Sequence, residues 1–106
     1  MPTSPGADLN HASAQEACFS GVDLSFATLT FADFEKADLT KARFSEAILF
    51  NTNLREAVMD HAYLRETILT GADLTGVSMK DAVLQDVVLE GAILPIDMPK
   101  VSRKKS

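Results

Sequence analysis

Tryptophan is absent from the 106 residues of this chain, cysteine occurs once, and the four prolines lie outside residues 7–94. A single cysteine, Cys18, cannot form an internal disulfide or share a structural zinc site with other cysteines. No run of about eighteen apolar residues occurs, and no basic segment precedes an apolar stretch at the N-terminus, so neither a membrane span nor a secretory signal is predicted. We therefore expect a cytoplasmic protein that is stabilised by packing.

Basic residues are scarce in most of the chain. Residues 1–94 contain fourteen acidic and six basic residues, whereas residues 95–106 contain one acidic and four basic residues. An acidic body repels phosphate groups, which argues against direct binding of DNA or RNA.

A repeat of five residues accounts for most of what is present. Every leucine falls at the same position of this repeat. Apart from one alanine, that position holds large apolar residues at intervals of five: Leu9, Ala14, Phe19, Leu24, Leu29, Phe34, Leu39, Phe44, Leu49, Leu54, Met59, Leu64, Leu69, Leu74, Met79, Leu84, Leu89 and Leu94. Two residues before each of these stands a small residue, which is alanine in thirteen of the eighteen units and otherwise valine or threonine. Residues 7–94 therefore form one unbroken series of units.

A period of five fits neither the 3.6-residue turn of a helix nor the alternation of a long strand. The small and large residues are two apart, as in a short strand with both side chains pointing inward. The simplest geometry is a three-residue strand followed by a two-residue corner, with successive coils pairing in parallel at about 4.8 Å. Proline lacks the N–H that such a ladder needs, which fits its exclusion from the repeat.

Four units carry the clearest signature: Ala7-Asp8-Leu9, Ala32-Asp33-Phe34, Ala37-Asp38-Leu39 and Ala72-Asp73-Leu74. They resemble the pentapeptide-repeat family, whose consensus is A(D/N)LXX. The resemblance implies an all-β fold, a right-handed quadrilateral parallel β-helix with four units per coil and about four and a half coils. We expect an N-terminal extension over 1–6, the β-helix over 7–94, and a C-terminal cap and basic tail over 95–106.

With four units per coil, residues twenty apart stack in columns on the outer surface. One face then carries an apolar stripe, a possible interface for a protein partner or a second copy, formed by Phe31, Ile48, Phe50, Ile68 and Val88. Alternatively, the isoleucines and the valine are there because β-branched residues suit a strand ladder. Strand propensity does not explain Phe50.

A second column places Glu46, Glu66 and Asp86 about one strand spacing apart. It could attract a basic partner or a hard cation. The alternative is a solvated corner that Arg43 and Arg65, on the same face, partly neutralise.

Residues that could carry catalysis do not converge. His11 and His61 occupy the same position in their units but lie fifty residues apart, which places them on different faces of a four-unit coil. Cys18 has no histidine in its column, and the glycines occupy corners rather than a phosphate loop. We therefore predict no catalytic residue, no metal site and no cofactor.

In the C-terminal segment, apolar residues precede the basic end. We expect Ile96, Met98 and Val101 to cover the last coil, because a solenoid needs its final core layer covered. The lysines that follow would discourage edge pairing with other chains.

Two functions fit these features. The first is a non-enzymatic binding or scaffolding module that meets its partner through an outer face or an end of the rod, without contact with a membrane. The second comes from the resemblance: some family members are acidic DNA mimics that bind DNA gyrase or another topoisomerase and confer quinolone resistance. Those relatives are generally longer and dimerise through a C-terminal segment, whereas this tail is short, basic and interrupted by proline.

Overall fold

The computed structural model of the chain describes residues 6–103. Residues twenty positions apart pair as parallel β-bridges throughout, for example Thr28 with Ile48 and Ile48 with Ile68. One coil therefore contains four units, as predicted, and the rod has four faces. Face 1 contains the units that begin at residues 7, 27, 47, 67 and 87; face 2 those at 12, 32, 52, 72 and 92; face 3 those at 17, 37, 57 and 77; and face 4 those at 22, 42, 62 and 82.

Regular strands are short because each unit supplies only three extended residues before it turns. Face 4 contains three of them, β1 (Tyr63–Arg65), β2 (Val83–Gln85) and β3 (Val101–Ser102), which form a parallel sheet in the order β1-β2-β3. The other units pair through single bridges at their second residue.

The corner between two units is a hydrogen-bonded turn. The amide of the next unit's first residue donates to the carbonyl of the large residue, as Ala12 does to Leu9 at 3.0 Å. The fifth residue of each unit from 7–11 to 87–91 has a positive φ, which together with this bond is the pattern of a type II turn. Glycine suits this position, and Gly21, with φ of +74°, is one of the corner glycines predicted from the sequence.

Most of the corner residues are not glycine. Thirteen side-chain-bearing residues have φ between 54° and 65°, a conformation that costs roughly 1 kcal/mol or more for an L-residue. The hydrogen bonds between coils offset this cost, because the amides of interior corner residues donate to the coil above. The Lys41 amide, for example, donates to the carbonyl of Asp60 at 2.9 Å.

The axis of the rod is filled by the two inward columns. The buried core runs from Leu24 to Val87 and includes Phe34, Phe44 and the leucines between them. This confirms the inward assignment over the middle of the chain, where alternation forces the intervening residue outward.

Two threonines occupy small positions inside the rod, where an unpaired hydroxyl would cost about 1 to 3 kcal/mol. The hydroxyl of Thr52 donates to the carbonyl of Leu29 at 2.6 Å, and that of Thr67 donates to the carbonyl of Phe44 at 2.7 Å. Both acceptors belong to the preceding coil. The threonines thus add a side-chain bond between coils at positions where alanine makes none.

Two expectations for the C-terminal end are wrong. Leu94 was expected on the axis but is 46% exposed, and Ile96 was expected over the last coil but is fully exposed. The reason is the path of the chain: β3 pairs Val101 with Leu84, a separation of seventeen residues instead of twenty. The segment therefore skips face 3 and crosses the end of the rod directly to face 4.

Two other residues of the predicted cap lie where they were expected. Met98 and Val101 do pack against the core cluster. Arg103 donates to the carbonyl of Val87 at 3.3 Å, which places one basic residue on the last backbone edge. The expectations for Lys104 and Lys105, and most of the predicted N-terminal extension, lie outside the described residues.

We predict that Leu54→Asp unfolds the rod, because it places a carboxylate among fully buried apolar side chains. Leu54→Ala should keep the fold but lower the free energy of unfolding by about 2 to 5 kcal/mol. Arg55→Ala, one residue along on the outside, is the control and should change it by less than about 1 kcal/mol. Circular dichroism with urea titration measures all three, and a native-like spectrum and midpoint for Leu54→Asp would show that the inward assignment is wrong.

Candidate functional site

Face 1 presents the apolar stripe predicted from the sequence. The second-position column contains Thr28, Ile48, Ile68 and Val88, joined by successive bridges. Phe50, from the fourth-position column, is 41% exposed. The structure thus brings the central members of the predicted interface onto one wall of the rod.

Aromatic residues lie at both corners that border face 1. Phe31 is exposed at one corner, and its ring stacks on that of His11 from the coil below, with centroids 5.7 Å apart and planes inclined by 8°. Phe26 is exposed at the other corner. Large side chains at positive φ are uncommon, so the turn itself does not account for either phenylalanine.

Charge is nearly missing from face 1. In its units 27–31, 47–51, 67–71 and 87–91, Glu90 is the one charged residue, although 24% of the whole chain is charged. The first unit of the face, residues 7–11, adds Asp8, and all other charged residues of the repeat lie on the other three faces and at their corners. Face 1 is therefore distinguished by low charge as well as by exposed apolar side chains.

The acidic column lies at the corner between face 4 and face 1. Arg65 lies between two of its members, with its guanidinium 3.9 Å from the Glu46 carboxylate and 3.8 Å from the Glu66 carboxylate. Asp86, the third predicted member, occupies the next coil in the same corner column. Arg65 therefore partly neutralises the column, as the alternative interpretation expected; Arg43 instead stacks 5.6 Å above the Tyr63 ring.

The remaining candidate residues are dispersed. His11 lies at a corner of face 1 and His61 at a corner of face 3, so the two histidines do not meet. Cys18 is an exposed free thiol on face 3. Within residues 6–103, no three histidine, cysteine or acidic side chains come together in a way that could hold a metal ion.

Aspartates at the second and fourth positions support neighbouring turns. Asp60 accepts hydrogen bonds from the Ser78 hydroxyl at 2.6 Å and from the Lys80 amide at 3.0 Å, both in the coil above. Chiefly because of the Ser78 bond, the pKa of Asp60 lies below its usual 3.8. Bonds from Thr40 and Thr75 likewise lower the pKa of Asp38 and of Asp73. These carboxylates have local structural partners, so they do not indicate a catalytic acid.

We predict that the pKa of the Asp60 carboxyl lies below 3.8 and that Ser78→Ala raises it, because the hydrogen bond from the Ser78 hydroxyl favours the ionised carboxylate. With a lowered folded-state pKa, the stabilising contribution is present above the unfolded-state value and is lost as the pH falls through the folded-state value. Carbon-13 NMR titration of the carboxyl measures both midpoints. A midpoint at or above 3.8 in the unmodified chain, or no change in Ser78→Ala, would contradict the assignment.

Comparison with family models identifies the repeat. The model described as pentapeptide repeats matches residues 5–25, 17–55 and 57–94, with eight copies. The chain belongs to the pentapeptide-repeat family. Solved pentapeptide-repeat proteins share its right-handed β-helix, which agrees with the fold class predicted from the sequence. The comparison with curated proteins found no match.

Among solved structures, a pentapeptide-repeat protein from the Arabidopsis thaliana thylakoid lumen matches with 25% identity and a TM-score of 0.79 over 82% of this chain. The match spans 61% of that protein, less than two thirds of its length. A pentapeptide-repeat protein from Nostoc PCC 7120 has 25% identity and a TM-score of 0.48, covering 92% of this chain and 84% of its own.

A third structure, QnrB1, is a plasmid-mediated fluoroquinolone resistance protein with 19% identity and a TM-score of 0.30, covering 85% of this chain and 61% of its own. At that level of similarity it supports no functional argument. Within residues 6–103, no helix is long and apolar enough to cross a membrane.

Two features of the surface escaped the sequence interpretation. One is the His11–Phe31 stack, which the twenty-residue spacing of these two corner residues could have revealed. The other is a groove at the C-terminal end, between residues 75–80 and 94–97. No periodic signal predicts the groove, because it arises where the chain leaves the repeat.

Proposed function

We propose that this pentapeptide-repeat chain is a non-enzymatic protein-binding or scaffolding module and that face 1 is its contact surface. The observation that carries the proposal is the coincidence of exposed apolar side chains with almost no charge on this one face. Charged side chains cover the other faces and keep the rod soluble. A binding role also agrees with the generally structural and binding functions of the family.

The geometry of face 1 suits a protein contact. Successive coils hold Ile48, Ile68 and Val88 in line through the backbone ladder, so little conformational entropy remains to be lost on binding. Burial of one large apolar side chain such as Phe50 contributes roughly 1.5 to 3 kcal/mol. Phe50 in the middle of the face, with Phe26 and Phe31 at its borders, has the aromatic character of interface hot spots.

The interior supports a binding role over catalysis. Side chains fill the axis from Leu24 to Val87, and the two buried threonine hydroxyls are already bonded to backbone carbonyls. A substrate would have to bind on the outside, where the described residues bring together no histidine, thiol and acid.

We predict that Ile48→Asp combined with Phe50→Asp retains the β-helix but weakens partner binding or self-association at least tenfold, because it places two charges in the middle of the contact. The matched control is Val58→Asp with Tyr63→Asp, which alters residues that are 37% and 48% exposed on faces 3 and 4. Quantitative affinity capture and light scattering compare the three proteins, with circular dichroism as the check on folding.

Loss of binding in the face 1 variant alone supports the proposal. Equal loss in the control would indicate non-specific adhesion of apolar side chains. A light-scattering result that shows the unmodified protein monomeric at all concentrations would exclude self-association as the use of face 1. Retention of every captured partner by the face 1 variant would exclude face 1 as the contact surface.

Charge favours a second candidate, an acidic mimic of DNA that binds gyrase or another topoisomerase. Residues 1–94 carry fourteen acidic and six basic residues, and faces 2, 3 and 4 with their corners hold most of the acids. A rod with acids on several sides presents negative potential to a basic DNA-binding groove. Face 1 would have no part in this mode.

We predict for this candidate that the protein inhibits gyrase supercoiling or protects the enzyme from a quinolone, and that inhibition falls as salt rises. Asp33→Lys with Asp73→Lys, on face 2, should weaken the effect, whereas the face 1 variant should not. A gel assay of supercoiling measures it. No effect at high micromolar concentration would exclude the mimic.

A further inference from the structure

At the C-terminal end of the rod, the last units of faces 1, 2 and 3 have no described coil paired above them, and the edge on face 3 is the one that lies beside a groove. On face 3, the last unit is residues 77–81, which pairs with the unit below through the Ser78–Val58 bridge. The next face 3 unit is missing because the chain passes from residue 94 to β3 on face 4. Edges of this kind are usually paired or shielded in native proteins.

The bonding groups of this edge can be identified by comparison with the coil below. In that coil, backbone amides donate to backbone carbonyls: Met59 to Ser78 at 2.7 Å, His61 to Lys80 at 2.9 Å, and Ser78 to Ala57 at 3.1 Å. The equivalent groups one coil higher are the amides of Met79 and Asp81 and the carbonyl of Val77. Among the residues that the structure describes, none of these three groups makes a backbone hydrogen bond.

A groove of about 750 Å³ lies beside this edge, between residues 75–80 and 94–97. Its floor includes Met79, and its opposite wall contains Leu94, 46% exposed, and the fully exposed Ile96. The charged residues that line it are Lys80 and Asp97. The Met79 amide and the Val77 carbonyl, neither of which makes a backbone hydrogen bond, therefore belong to residues that line the groove together with exposed apolar side chains. The Asp81 amide follows at the next corner of the same edge.

We propose that this groove binds an extended segment of a partner protein, which adds to the rod as the missing unit of face 3. The order of residues in the other units defines the segment: a small residue, any residue, then a large apolar residue such as leucine or methionine. Met79 is only 2% exposed, so the large residue packs against Leu94 and Ile96 in the groove and not on the axis. An acidic residue follows, where it meets the ammonium group of Lys80. This is β-strand addition, in which backbone bonds give affinity and the apolar groove gives specificity.

The path of the C-terminal tail limits which molecules can bind at this end of the rod. Met98 packs on the core where the chain crosses the end of the rod, so a second rod cannot stack its whole coil there. A single strand beside the tail meets no such obstacle, because face 3 stands open between the tail and residue 78. The vacant place is one unit wide, and a three-residue strand spans about 10 Å.

The test uses a fluorescent peptide with the sequence of residues 56–62, Glu-Ala-Val-Met-Asp-His-Ala, which has the required order of small, any, large and acidic residues. Fluorescence anisotropy with the full chain should show saturable binding. NMR hydrogen exchange should show slower exchange of the Met79 and Asp81 amides in the complex, which a contact through side chains alone would not produce.

Two control peptides isolate the mode of binding. Exchange of the methionine and the following aspartate keeps the composition but turns the large side chain away from Leu94 and Ile96. N-methylation of the valine removes the donor for the Val77 carbonyl. Each change should weaken binding at least tenfold; equal binding of either control peptide would overturn the proposal, as would no binding of the original peptide at millimolar concentration.

Variants of the protein separate this groove from face 1. Ile96→Asp and Leu94→Asp change exposed side chains, so the core remains intact, and each should weaken peptide binding at least fivefold. Lys80→Glu should also weaken it, and a peptide with lysine in place of the acidic residue should restore binding to that variant. The face 1 variant should bind the peptide normally, so failure here and failure of the proposed function are distinguishable. If the protein self-associates, and this self-association competes with the peptide and is lost in Ile96→Asp, then a second copy of the chain occupies the groove. That result would overturn the proposal that a segment of a partner protein binds there.

Discussion

Two inward columns of side chains, one small and one large, fix the form of this rod. Alanine at the first position of a unit lets the wall come close to the axis, and leucine, methionine or phenylalanine at the third position fills the space between opposite walls. Because side chains alternate along an extended chain, these two positions force the second residue outward. Only the second, fourth and fifth positions then remain free to vary with function, and both proposed contacts follow from this division.

The turns impose a second constraint, because every unit from 7–11 to 87–91 ends in a residue with positive φ. Glycine or asparagine meets this demand at low cost. Gly71 also has little room for a side chain, since an added Cβ would collide with Asn51 in the coil below. Phe26 and Phe31 occupy the same kind of corner, where a large residue has no advantage for the turn. Their position beside a face with almost no charge is easier to explain by contact with another molecule than by folding.

The sequence was sufficient for the repeat frame and for the assignment of side chains to the inside or the outside, because both follow from a pattern repeated many times. The four faces came from the resemblance to the pentapeptide-repeat family, because a period of five does not by itself set the number of units per coil. It failed at Leu94 and Ile96, since the period gives the direction of a side chain only while another coil follows. Individual ion pairs could not be predicted either: Arg55 lies in one column with Glu35, twenty residues earlier, yet its guanidinium lies 3.9 Å from Asp73. Side chains in adjacent columns can reach each other, and the twenty-residue spacing alone does not show which of them form an ion pair.

The faces and the end of the rod differ in what they offer a partner. On a face the backbone is already bonded to the coils above and below, so recognition there depends on side chains. At the end, Met79 and Asp81 still have amides to donate, so recognition can use the backbone and the neighbouring groove together. The tail makes this end selective. The chain crosses the end of the rod at Met98 to reach β3, so it closes the axis to another rod and leaves the face 3 edge open beside the groove. An end closed to a whole rod thus remains open to one strand, and the sequence of that strand must obey the rule that built the rest of the fold.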